Sequence, residues 1–145
     1  MKTGVKVMDI MTRNPVTIDR STSLKKCAEV MSERDVNSLI VKNDINRVLG
    51  IVVDEDFVRK AIAKNLDCEH VEVGEIMLKD VIKIEPERDI YDAIKLMGDN
   101  NIRQLPVVDG HKLIGLVTIK DIQKIEPALF EILSEGIMLR KGGKR

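Results

Sequence analysis

A chain of 145 residues that is 43% hydrophobic can bury one respectable core, but either half alone falls where burial is marginal, so the halves are expected to pack on each other. A formal charge of zero argues against a dedicated phosphate-backbone binder, and the aromatics Phe57, Tyr91 and Phe130 give no stacking platform for single-stranded nucleic acid. No apolar run approaches the roughly 18 residues of a membrane span and no signal peptide opens the chain, so a soluble, cytoplasmic protein is expected.

In chain order, residues 1–6 read as a short leader and residues 7–11 as a turn of helix with Val7, Ile10 and Met11 on one side. Asn14-Pro15 breaks it. Val16-Thr17-Ile18 reads as a short strand, and residues 19–23 hold several candidate helix caps. Leu24, Cys27, Ala28 and Met31 then follow i, i+3, i+4, i+7, which predicts an amphipathic helix to about Arg34. Residues 39–41 and 48–53 read as a hairpin, followed by a helix from Asp56 to about Lys64. The charged connector 65–72 lacks apolar periodicity and is read as the domain boundary. Beyond it come a strand at 81–84, a helix with Ile90, Ala93, Ile94 and Met97 on one face, and a hairpin of 105–108 with 113–117. A helix from about Lys120 is expected to break at Glu126-Pro127. Residues 128–139 read as a further amphipathic helix with Leu129, Ile132, Leu133 and Ile137 on one side, and residues 140–145 as a disordered basic tail.

The same order of elements occurs twice. Displacing the sequence by 66 residues lays Val7-Met8-Asp9-Ile10-Met11 on Val73-Gly74-Glu75-Ile76-Met77, Ile18 on Ile84, Met31 on Met97, Leu39 on Leu105 and Val41 on Val107. After one residue is dropped in the hairpin turn, Gly50 falls on Gly115, Val52 on Val117 and Asp56 on Asp121. This period is longer than that of solenoid repeats. The chain is therefore read as two copies of one β-α-β-β-α domain, over residues 7–64 and 73–127, with residues 128–145 as a C-terminal helix and tail.

Few residues carry chemistry. Cys27 sits on an apolar helix face and reads as a small buried thiol. Cys68 and His70 form a lone C-x-H in a polar connector, and the other histidine, His111, lies in a predicted turn, whereas zinc asks for about four ligands. Asp54-Glu55-Asp56 opens a predicted helix, where acidic residues complement the dipole. Thr118 and Asp121, as T-x-x-D, are spaced to cap a helix, and such a terminus also offers N–H groups to an anion. Spacing alone does not choose between cap and site. Pro106 lacks the ladder N–H and is tolerated only at an edge or bulge, which would leave part of its strand open. The basic tail reads as a solvated terminus rather than a contact for nucleic acid or membrane. No histidine-based, metal-based or nucleophilic constellation is present in the sequence, so an enzyme is not expected.

The series V-x-D-I-M from Val7, N-P-V-T-I from Asn14, a helix, and L-P-V-V-D-x-x-x-L-I-G-L-V-T-x-x-D from Leu105 resembles the cystathionine β-synthase (CBS) domain. Two in tandem resemble a CBS pair, or Bateman module, and the resemblance covers nearly the whole chain. It implies an α/β fold of the α+β kind, with two β-α-β-β-α repeats packed about a pseudo-twofold axis and candidate sites in the clefts between them. It further implies a regulatory module without a cofactor, binding an adenosine-containing ligand such as AMP, ADP, ATP or S-adenosylmethionine, commonly as a flat homodimer acting on a protein not identified by the sequence.

An adenine wants an apolar slot with backbone hydrogen-bonding edges, a ribose wants a carboxylate for its two hydroxyls, and a phosphate wants a helix N-terminus plus a cation. Carried onto the second copy, the resemblance implies Asp121 for the ribose, Thr118, Lys120 and Arg103 for phosphate, and Ile82, Leu105 and Pro106 for the adenine wall. Lys83 stands there in place of the family's frequent Thr. In the first copy it implies Thr17, Leu39 and Asp56. That copy departs from the pattern, with Val53 in place of Thr118, Ile40 in place of Pro106 and Asn37 in place of Arg103. Its site is expected to be weaker or empty. The alternative function is an assembly subunit that binds a partner protein constitutively through a degenerate site.

Overall fold

The opening turn of each copy is closed by its own acid. In a computed structural model, which describes residues 2–125 and Pro127, α1 (Val7–Ile10) is held by Asp9, whose carboxylate accepts the Lys6 N–H at 3.0 Å. At the matching place in the second copy, Glu75 accepts the Glu72 N–H at 3.0 Å over a single 3₁₀ turn, Val73–Glu75. Such a carboxylate satisfies an amide that the turn itself leaves without an acceptor. The helix expected over 128–139 with Leu129, Ile132, Leu133 and Ile137, the basic tail, and Glu126 of the expected break lie outside the described residues.

The elements that follow are β1 (Thr12–Arg13), β2 (Thr17–Ile18), α2 (Leu24–Arg34), β3 (Ser38–Lys42), β4 (Val48–Val53) and α3 (Asp54–Asp56). A π-helical stretch, Phe57–Ile62, continues α3, and then come α4 (Ile90–Asn100), β5 (Gln104–Asp109), β6 (Lys112–Thr118) and α5 (Ile119–Ile125). The fold is thus mixed α+β with two small sheets. Both long helices form where the 3.6-residue pattern places them, and both are capped by side chains. Ser23 Oγ accepts the Lys26 N–H at 3.1 Å and Asp89 Oδ1 the Tyr91 N–H at 2.9 Å. Each ends on a left-handed residue, Asp35 (φ 52°) or Asn101 (φ 57°), of the short polar types that tolerate that conformation.

The chain divides into two compact units. One comprises residues 15–81 with 111–113, and the other residues 2–14, 82–110, 114–125 and Pro127 among those described. In the first unit β2 runs parallel to β3 and β3 antiparallel to β4, over a core that includes Leu24, Cys27, Leu39, Val52, Val73 and Met77. In the second the sheet order is β1-β6-β5, with Thr12 opposite Leu116, over Val7, Met11, Ile84, Met97, Leu105 and Val117. The opening segment of each copy therefore folds with the hairpin of the other. Two glycines record this exchange. A Cβ on Gly115 would lie 2.5 Å from Met11 Sδ and 3.0 Å from the Thr12 carbonyl oxygen, and one on Gly50 would lie 2.5 Å from Met77 Sδ and 2.9 Å from the Leu78 carbonyl oxygen. A side chain at either place would displace the methionine and press on the carbonyl oxygen behind it, most tightly at Gly50. Cys27 is fully buried, and burial pushes its thiol up to about 11, as suits an inert core residue.

Two expectations are corrected. Residues 81–84 form no strand but a single bridge, Ile84 beside Val107. In the first copy the Ile40 N–H donates to the Val16 carbonyl at 3.2 Å, whereas Pro106, its counterpart, has no N–H to give to Ile82. The helix after the first hairpin starts at Asp54 rather than Asp56, with the Asp54 N–H donating to the Asn37 carbonyl at 3.1 Å. β1 leaves no signal in the sequence, since two residues are too few to display a strand period. No helix among the described residues is long and apolar enough to cross a membrane.

Asp89 ties the leader down as well as capping α4. Its carboxylate accepts the N–H groups of Thr3 (2.9 Å) and Gly4 (3.0 Å) and the Thr3 hydroxyl (2.8 Å). Partial desolvation opposes its charge, but the hydrogen bonds from Tyr91, Thr3 and Gly4 outweigh that and hold its pKa at about 2, against an ordinary 3.8. A carboxyl with a depressed folded-state pKa contributes stability above its unfolded value and loses it as pH falls toward the folded one. Acid unfolding should therefore steepen between pH 3.8 and about 2, and Asp89→Asn should flatten that limb. Superimposable acid limbs for the two proteins would contradict this.

Candidate functional site

Thr118, the last residue of β6, and Asp121, in the first turn of α5, close on each other. Asp121 Oδ2 accepts the Thr118 N–H at 2.9 Å, and Thr118 Oγ1 accepts the Asp121 N–H at 3.2 Å. This is a complete capping box. It uses one carboxylate oxygen and leaves the other, Oδ1, without a partner among the described residues. The Ile119 N–H donates to the Arg103 carbonyl at 3.2 Å, so the entry to β5 is fastened to the start of α5. That bond brings Arg103, Thr118, Lys120 and Asp121 to one corner of the unit. Arg103 and Lys120 are exposed, and neither has an ion-pair partner among the described residues.

Beside this corner runs the segment that Pro106 prevents from becoming a strand. The Ile84 N–H donates to the Pro106 carbonyl at 3.0 Å and the Val108 N–H to the Ile84 carbonyl at 2.9 Å. Carried back from the Ile84–Val107 bridge, the parallel register sets Lys83 opposite Pro106 and Ile82 opposite Leu105. Ile82 is half-buried, and its carbonyl has no donor among the described residues, because the amide that would supply one belongs to proline. A backbone acceptor left this way asks for water or a ligand N–H. Pro106 is buried and Lys83 exposed, while Leu105 is fully buried in the core. What Leu105 offers here is backbone rather than apolar surface.

The first copy repeats the scaffold with different chemistry. Thr17, half-buried, pairs with Ile40 across a true β2–β3 ladder, and Leu39 is fully buried. Asp56 Oδ2 accepts the Val53 N–H at 2.9 Å, but valine has no oxygen to return the bond, so only half the box forms. The other oxygen, Oδ1, meets Lys60 Nζ at 3.3 Å, and the same ammonium donates to the Ile76 carbonyl at 3.2 Å. Lys60 was not singled out in the sequence. Its spacing four residues after Asp56 on a helix was the available signal. The matching place in the second copy holds Ile125.

The connector residues stand apart from both clusters. His70 Nδ1 lies 2.7 Å from Asp67 Oδ2, which raises the imidazole pKa by hydrogen bonding and charge, and both side chains are largely exposed. Among the described residues no group of three or more His, Cys, Asp and Glu is placed to hold a metal ion.

Comparison with known proteins gives the setting. The model of the CBS domain matches residues 7–63 and 73–127. An uncharacterized protein of Methanopyrus kandleri, MK0525, is 33% identical over 133 residues, covering 91% of this chain and 68% of that protein. The chain spans only 40% and 38% of two further, longer curated relatives. Among solved structures, the CBS domain pair of protein MJ0100, in complex with 5-methylthioadenosine and S-adenosyl-L-methionine, has a TM-score of 0.78 at 26% identity, over 86% of this chain and 98% of that one. The hexameric CBS-CP12 protein from bloom-forming cyanobacteria has a TM-score of 0.76 at 29% identity, over 90% of this chain and 75% of that one.

Proposed function

Since the chain belongs to the CBS-domain family and carries the domain twice, we propose that it is a regulatory protein whose second copy binds an adenine nucleotide. The observation that carries this reading is the corner at β6 and α5. There, among the described residues, Asp121 keeps one carboxylate oxygen without a partner, and Arg103 and Lys120, whose backbones meet at the same corner, are exposed cations without an ion-pair partner. A carboxylate oxygen takes ribose hydroxyls by charge-assisted bonds, and a guanidinium or ammonium takes phosphate. The Ile82 carbonyl and the edge freed by Pro106 supply an acceptor for the adenine amine. A neighbour bound to adenosine-containing molecules supports the ligand class, and AMP, ADP and ATP fit the cations better than S-adenosylmethionine does. Binding acts as a signal rather than as the first step of a reaction. Titration calorimetry with AMP tests the reading: about one equivalent per chain is expected, and an absence of binding would contradict it.

We also propose that the protein works as a homodimer. Val58 and Ile62, four residues apart on the π-helical stretch, are 61% and 68% exposed, an apolar surface suited to association. Light scattering at micromolar concentration should give about twice the 16.4 kDa chain mass. A value at the chain mass, with and without AMP, would overturn the homodimer.

A further inference from the structure

Resting on that reading, we infer that Lys60 is a specificity-determining residue that closes the first copy's carboxylate to ligand. Asp56 and Asp121 occupy the same place in the two copies and cap the same turn through the same oxygen, Oδ2, at 2.9 Å. They differ in the second oxygen. Asp56 Oδ1 is held by Lys60 Nζ at 3.3 Å, whereas Ile125 occupies the matching position in the second copy and carries no charge.

The lysine is anchored at more than one point, since its ammonium also donates to the Ile76 carbonyl at 3.2 Å. Asp56 is the more enclosed partner, with 16% of its side chain exposed against 46% for Lys60. A ribose diol approaching this carboxylate must therefore displace an ammonium that is bonded both to the acid and to the backbone behind it. On Asp121 the same diol meets an oxygen that has no partner among the described residues. The first copy thus provides its own occupant for the position that a sugar takes in the second, and this acts in addition to its lack of a counterpart to Thr118 and Arg103.

An ordinary helical i, i+4 ion pair would instead matter only to stability, by a small amount, and leave binding alone. Adenosine separates the two, because with no phosphate it isolates the sugar contact. In the full chain carrying Asp121→Ala, so that the first copy's carboxylate is the one left, adding Lys60→Met should tighten adenosine binding about fivefold, the scale of one exposed ion pair. The reciprocal change, Ile125→Lys in the otherwise native chain, should weaken adenosine about fivefold by installing the same lock on Asp121. Both positions are substantially exposed, Ile125 at 50%, so neither substitution threatens the fold. If the native chain binds adenosine and neither variant moves its affinity, the lock is overturned while the nucleotide reading stands. A native chain that binds neither adenosine nor AMP overturns both.

Discussion

The two copies should bind AMP with affinities that differ by about thirty- to a thousandfold, with the second copy the tighter. Thr118 offers a hydroxyl where Val53 offers none, and Arg103 offers a guanidinium where Asn37 does not. One neutral and one charged hydrogen bond amount to roughly 2–4 kcal/mol, which gives that ratio. The neighbouring charges act in the same direction. Lys120 stands exposed at the start of α5, whereas Glu55 occupies the matching place in the first copy. Adenosine, lacking phosphate, should separate the copies much less than AMP does. Calorimetric titration carried to high AMP reads both statements. Two equivalent AMP sites per chain would contradict the inequality.

Replacing Asp121 with alanine should weaken AMP at least tenfold. Charge-assisted bonds from a carboxylate to two ribose hydroxyls are worth roughly 1.5–3 kcal/mol each, so even one of them exceeds that factor. The same substitution also removes the cap at Thr118, which costs about 1 kcal/mol of stability. The two roles separate in Thr118→Val, which breaks one half of the capping box but leaves the Asp121 carboxylate in place. That variant should lose stability and some phosphate affinity while adenosine binding stays near native. Native-like AMP affinity in Asp121→Ala would confine this carboxylate to capping. Loss of binding in Asp56→Ala with none in Asp121→Ala would move the competent site to the first copy.

Much of this architecture is legible in the sequence because it is set by local periodicity. α2 and α4 bury the faces that the i, i+3, i+4, i+7 pattern marks, and both hairpins form around their polar turns. The duplication is visible because Gly50 and Gly115 answer the same steric demand, each beneath a methionine. The exchange of opening segments is not legible, since nothing in the pattern of residues 7–14 says which copy of the hairpin they will meet. The missing strand at 81–84 is a related case. Its cause is Pro106, whose missing N–H shows in the sequence as a constraint on its own strand but acts on the neighbour, whose carbonyl it leaves without a donor among the described residues. The π-helical widening after Asp56 has no counterpart in residue type. At the candidate site, residue identities at Thr118 and Asp121 are compatible with a cap and with a site. The fold spends one oxygen of Asp121 on the cap and the second oxygen of Asp56 on Lys60.

The most direct measurement is the thermal stability of the purified chain against AMP, ADP, ATP, S-adenosylmethionine and NAD, each followed by calorimetry. A ligand that binds the folded state alone raises its stability by RT ln(1 + [L]/Kd), about 2.7 kcal/mol at a hundredfold excess over Kd. A clear upward shift is expected with at least one adenine nucleotide, reduced in Asp121→Ala. A flat response to all five would contradict it and favour an assembly role with a degenerate site.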